Sequence, residues 1–226
     1  MNRLSRYLKL VDEMPDFVNP RKMGEQVVID QKLIAAAEKS LGKQVGVLYE
    51  DEHIIFVVDL LYDDETKKYR TKGRIIHRHG GATMIIPVTE QKEFILLEQF
   101  RHGTQKGQLS FPRSFEYDGS SGLAHAEKLA RELLNAVYDT PKFLGELTTE
   151  SDLVNMKVAV YEIPIKDFHI CLGTDRGIVD AAIATRHQVE SAIKRLDIDD
   201  SITVAAFELW KAHRSKRNKV SPERTF

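Results

Sequence analysis

The 226-residue chain has one cysteine, Cys171, so it can form neither an internal disulfide nor a cysteine-based zinc cluster. It has no long apolar run; stretches such as Ile54-Ile55-Phe56-Val57-Val58 are far too short to cross a bilayer. Met1 is followed by charged, amphipathic sequence without the apolar core of an export signal. Together these absences imply a reducing, cytoplasmic home and no membrane partner. An excess of one charge is also missing. Lys and Arg number 33 against 34 Asp and Glu, so no global field draws the chain to nucleic acid. The Walker phosphate loop, the dinucleotide glycine fingerprint, HExxH and GxSxG are all absent.

What is present describes a folded α/β chain. Hydrophobic residues make up 42% and charged residues 30%, too apolar a mixture for a disordered segment. Leu4, Tyr7, Leu8 and Val11 recur at helical spacing, predicting a helix over 3–13. Asp30 can cap a second helix at about 31–41, with Gly42 just past its end. Five runs rich in β-branched residues follow at 45–49, 53–62, 69–77, 82–88 and 93–100. Residues 101–122, with several glycines and serines, read mostly as loop. A helix over 124–137 comes next, with Ala126, Leu129, Ala130, Leu133 and Val137 as its buried stripe. Glu127, Lys128, Arg131, Glu132 and Asn135 would then face outward. Strands near 143–147, 157–163 and 177–184, helices near 187–196 and 201–214, the latter capped by Asp200-Ser201, and a polar tail complete the chain. Lys211, Arg214, Lys216, Arg217 and Lys219 form a basic run that reads as solvated surface, not a nucleic-acid contact.

The order of several short motifs resembles the Nudix hydrolase family, and within it the ADP-ribose pyrophosphatase group. His79-Gly80-Gly81-Ala82 leads into the strand Ile85-Ile86-Pro87-Val88, and Leu96-Leu97-Glu98-Gln99-Phe100-Arg101 ends in a Gln-aromatic-Arg triplet. Phe111-Pro112-Arg113-Ser114-Phe115, Arg131-Glu132-Leu133, Leu144-Gly145-Glu146-Leu147 and Ile198–Ala206 follow, so the resemblance spans about 44–215. The family's box reads glycine, five residues, glutamate, seven residues, Arg-Glu-apolar, one residue, Glu-Glu, one residue, glycine, apolar. Glutamates at i, i+3 and i+4 share a helical face. They can thus gather Mg²⁺, which neutralises a diphosphate and activates water. The resemblance implies an α/β/α sandwich, Arg131 and Glu132 as catalytic residues, and Glu132 as a metal ligand. It also implies a nucleoside-diphosphate ligand and a homodimer.

The departures from the box are equally specific. Asn135 and Ala136 stand at the paired glutamates, Tyr138 at the closing glycine and Ser114 at the leading one. The span from Ser114 to Arg131 is three residues longer than the box allows, and the first glutamate falls on Leu123 or Ser120. The degenerate box therefore implies a nucleotide-ligand cleft with weak or lost hydrolysis, and Mg²⁺ as cofactor only if activity remains. An active Mg²⁺-dependent pyrophosphatase would need relocated ligands such as Glu116, Asp118, Glu127 or Glu150; Asp175 is the acid available on the later loop. A third reading is a structural or nucleic-acid-associated dimer. Arg101 and Arg113 suit diphosphate binding through their planar forks, though surface arginines look the same in sequence. Glu127 and Arg131, four apart, suit a simple helix ion pair, and His125, seven residues before Glu132, reads as a surface histidine in preference to a substitute metal ligand. The domain organisation expected is a helical extension at 1–43, a small dimerising β subdomain at 44–80, the Nudix-like domain at 81–215 and a tail at 216–226.

Overall fold

The structure, a computed structural model, describes residues 2–14, 25–78, 81–115, 122–173 and 177–215. The chain divides into two compact units, Met1–His79 with Glu150–Met156, and Gly80–Thr149 with Lys157–Phe226. Among the described residues no helix is long and apolar enough to cross a membrane.

The first unit is a four-stranded antiparallel sheet with two helices. Helix α1 (Arg3–Glu13) starts at Asn2, whose side chain accepts from the Ser5 N–H at 2.7 Å. Helix α2 (Gln31–Leu41) is capped by Asp30 and ended by Gly42 in the left-handed region at φ 63°, where glycine carries no steric penalty. Strand β3 (Ile54–Asp63) is the centre. It pairs with β1 (Gln26–Val27) and β2 (Gly46–Glu50) on one side and with β4 (Lys68–His77) on the other. Tyr7 and Leu10 of α1 pack on Ile55, Val57 and Ile76, while Ile34 and Ala37 of α2 pack with Val45 and Leu60. A charged group sits in this core: Asp59 accepts from the Tyr7 hydroxyl at 2.5 Å and forms an ion pair with Arg74, whose Nε lies 2.7 Å away. Burial, then the Asp59 charge, pushes the Tyr7 phenol far above its ordinary value, so it remains a donor. The returning segment 150–156 joins β4, where the Ile75 N–H donates to Leu153 O and the His77 N–H to Asn155 Oδ1.

The second unit is built on an eight-stranded mixed sheet. Its spine runs β10 (Lys142–Thr148), β11 (Lys157–Asp167), β5 (Gly81–Thr89), β6 (Phe94–Arg101) and β12 (Ile178–Ala184), with β11 and β5 parallel. Successive strand residues point to opposite faces, and each face has its own helix. Ile95 and Leu97 join Ile85, Ile163 and Ile165 under α3 (Gly122–Leu134). Phe94 turns the other way, edge-on to Phe207 at 5.5 Å and to Trp210 at 4.8 Å, both on α5 (Ser201–Ser215). Helix α4 (Arg186–Lys194), with a capping box at Thr185 and Gln188, connects β12 to α5. The result is an α/β/α sandwich.

Two stretches of the chain differ from the sequence expectation. The stretch expected to be loop contains β7 (Lys106–Ser110) on β6 and β8 (Arg113–Phe115) on β5. Gly107 and the polar alternation around it hide a strand whose support comes from its neighbours. The chain passes from one partner to the other at Phe111-Pro112, where the Pro112 carbonyl accepts from the Ile85 N–H at 2.9 Å. Helix α3, for its part, stops at Leu134 and does not reach Val137. Asn135 adopts φ 40°, its N–H donates to Arg131 O at 3.0 Å, and the Ala136 N–H reaches back to Ala130 O at 3.1 Å. This is a left-handed helix stop. Val137 and Tyr138 become a short strand, β9, paired with β11.

Candidate functional site

The second unit brings two of the sequence-predicted residues together. Arg101 ends β6 and Arg113 opens β8, and both strands are anchored in the same sheet. Arg113 Nη1 meets Asp200 Oδ2 at 2.7 Å, with only 18% and 7% of the two side chains exposed. The same oxygen accepts from the Thr203 N–H at 2.9 Å and the Thr203 hydroxyl at 2.7 Å, so Asp200 also caps α5. Thr203 Oγ1 in turn accepts from the Phe111 N–H at 3.2 Å, tying α5 to the β7–β8 crossover.

Arg101 is held differently. Its Nη2 donates to Gln99 Oε1 at 3.0 Å and to Ser110 Oγ at 2.9 Å, both acceptors neutral and both residues buried. Its Nε is buried with no hydrogen-bond partner among the described residues. Burial first, and the neighbouring Arg113 charge second, lower the Arg101 guanidinium to about 10, with Asp200 opposing. Among the described residues, the two guanidinium groups thus share one nearby carboxylate in a partly buried place. Asp200, which sequence marked only as a helix cap, and Gln99 and Ser110 complete the cluster. No sequence signal joins Asp200 to Arg113, because 87 residues separate them.

The catalytic pair expected on α3 has a plainer setting. Arg131 and Glu132 are exposed on α3, the layer opposite the α5 end that holds Arg113. Arg131 Nη1 donates to the Tyr138 hydroxyl at 2.8 Å and lies 3.7 Å from Glu127, forming the helix ion pair that the spacing allowed. His125 departs from expectation: it is buried against the core, not on the surface. Lys211 pairs with Glu190 and Glu208, and Arg214 with Glu162, so the described part of the C-terminal basic run is neutralised locally. Glu116, Asp118, Ser120, Asp175, His79 and the tail beyond Ser215 lie outside the described residues.

Mg²⁺, which the resemblance implies, needs several oxygen ligands in near-octahedral array. Among the described residues no group of three or more His, Cys, Asp or Glu side chains is placed to hold a metal ion. Leu129 and Leu133 on the inner face of α3 are buried in the core, and Asn135 and Ala136, at the paired-glutamate positions, carry no carboxylate. The donor set on α3 does not fit. An open groove of about 290 Å³, lined by Glu98, Leu109, Asp180, Ala182 and Asp197 among others, is acidic and would repel a diphosphate. The positive charge of the unit's candidate residues lies instead at the Arg101–Arg113 cluster.

No family model and no curated protein matches the sequence. Comparison with solved structures does find matches, among them one described as the crystal structure of an ADP compounds hydrolase. It is 16% identical, with a TM-score of 0.63 over 78% of this chain and 95% of that one. At that identity the likeness speaks for the fold, and this chain has a Nudix-like α/β/α sandwich.

Proposed function

We propose that this protein is a ligand-binding or regulatory relative of the nucleoside-diphosphate-sugar hydrolases, one that keeps a nucleotide-diphosphate cleft and has little or no hydrolysis. The observation that carries the reading is the Arg101–Arg113 pair, in which, among the described residues, two guanidinium groups share a single carboxylate and one Nε is buried without a hydrogen-bond partner. A buried cation in that state is stabilised by an anion that supplies the missing acceptors. A diphosphate fits, because its oxygens match the planar fork of arginine. The likeness to an ADP compounds hydrolase supplies the fold in which such a ligand is handled. Catalysis has less support, since α3 retains Glu132 while Asn135 and Ala136 stand at the paired-glutamate positions.

The test is a thermal-shift screen of ADP, ADP-ribose and related diphosphates with and without EDTA. Stabilisation that survives EDTA is expected, and Arg101→Ala should weaken it by roughly ten- to a hundredfold, the equivalent of about 1.5–3 kcal/mol for a charge-assisted contact. ADP-ribose at millimolar Mg²⁺ should remain intact. Steady turnover that Glu132→Gln abolishes would replace this reading with an active hydrolase using relocated ligands.

A further inference from the structure

We infer that α3 is a sealed core helix with no seat for Mg²⁺, and that its true register against the family box is one turn away from the Arg131-Glu132 match. The inference deepens the metal-free reading proposed above and rests on it for its functional meaning.

The box closes on a glycine placed just after its paired glutamates, where a helix needs a left-handed stop. In this chain the residue in that conformation is Asn135, at φ 40°. Asparagine tolerates the region better than most residues that carry a side chain. Twenty-one residues separate the two glycines of the box, and 21 separate Ser114 from Asn135 (135 − 114). The three surplus residues demanded by the Arg131-Glu132 match then disappear. Ser114 sits in β8 opposite Thr83, at the strand that precedes the helix.

In this register the i, i+3, i+4 triad is Leu129, Glu132 and Leu133. Leu129 is 4% exposed and Leu133 8%, and both belong to the cluster containing Ile85, Ile95 and Leu97. Two of three ligand positions have therefore become core contacts, and a carboxylate at either would have to be desolvated. The positions that a direct reading of Arg131-Glu132 would refill, Asn135 and Ala136, lie beyond the end of the helix. They share no helical face with Glu132.

Three variants of the full chain test this. Asn135→Gly should hold or raise the Tm, because glycine suits a left-handed stop; a fall in Tm, expected for glycine inside a continuing helix, would overturn the register. Asn135→Glu with Ala136→Glu should show no Mg²⁺ binding by calorimetry beyond that of the parent protein, and a tenfold gain in affinity would overturn it as well. Leu133→Glu should melt well below Leu133→Met, or fail to fold. A Leu133→Glu melting with the parent would show that the inner face is not sealed. None of these readouts uses a nucleotide, so a failed diphosphate screen would sink the proposed ligand and leave the conclusion on α3 standing.

Discussion

Asp200 carries two loads through one oxygen. It caps α5 through Thr203 and neutralises Arg113, and it is almost wholly buried. Removing it strands a buried guanidinium and opens the helix end together, whereas removing Arg113 leaves Asp200 with both Thr203 donors. Asp200→Ala should accordingly cost about 3–5 kcal/mol, the range for breaking a buried pair from one side. Arg113→Ala should cost less, about 1–3 kcal/mol. Urea unfolding of the two variants ranks them, and equal losses would show that the pair acts only as an ion pair. Arg101 behaves oppositely with respect to charge. Its folded pKa, about 10, lies below its unfolded value, so burial of its charge opposes folding at neutral pH and is relieved only as the pH rises above about 10. A bound anion would remove the same penalty.

At the scale of elements, α1 shows how a short helix is held in one position. Its apolar stripe gives Tyr7 and Leu10 to the core, but the stripe alone allows sliding along the sheet. The Tyr7–Asp59–Arg74 arrangement adds a directional constraint inside that core. Tyr7→Phe keeps the ring and removes the donor, leaving one Asp59 oxygen to a longer Arg74 contact at 3.3 Å. A loss of about 1–3 kcal/mol is expected, the cost of an under-satisfied buried acceptor, measured by chemical denaturation; a neutral result would mean that Arg74 alone satisfies Asp59. Helix α3 carries the complementary lesson. Its buried stripe of Ala126, Leu129, Ala130 and Leu133 was legible from spacing, while its last residue was not. Asn135 suits a helix surface and a helix stop equally well in sequence. Backbone hydrogen bonds to Arg131 and Ala130 made the choice.

The whole molecule offers two measurements. In the first unit several exposed carboxylates are held below their ordinary values. Arg6 and then Lys9 act on Glu13, and Arg70 acts on Glu25. The Ile54 and His53 N–H groups act on Asp51, and the Thr66 hydroxyl acts on Asp63. Folded values lie below unfolded ones, so their contribution is present above about pH 4.5 and is lost as pH falls through the folded values. Circular dichroism should show acid unfolding beginning below that point, earlier in high salt, where screening weakens the ion pairs. The second concerns self-association. Ile54, Phe56 and Val58 along one face of β3 are only half-buried, and Tyr49, paired to Phe56, is 54% exposed. We propose that this apolar face supports a homodimer, with sedimentation at micromolar concentration expected to give twice the chain mass; a monomer would assign the face another role.

Local signals were enough for the helices at 3–13 and 31–41, most strands, the α/β class and the cap at Asp200, because spacing, capping and β-branched content act over a few residues. Order along the chain was enough to suggest the sandwich. Tertiary structure decided the rest. Strands β7 and β8 exist because β6 and β5 provide partners, not because Lys106–Ser110 favours extension. His125 is buried because α3 presents a wide face to the sheet. The candidate site itself depends on the fold, since Arg101, Arg113 and Asp200 are far apart in sequence and meet only when β6, β8 and the start of α5 are packed. Composition records how many charges a chain carries, but only packing determines which of them lose water and share a counter-ion.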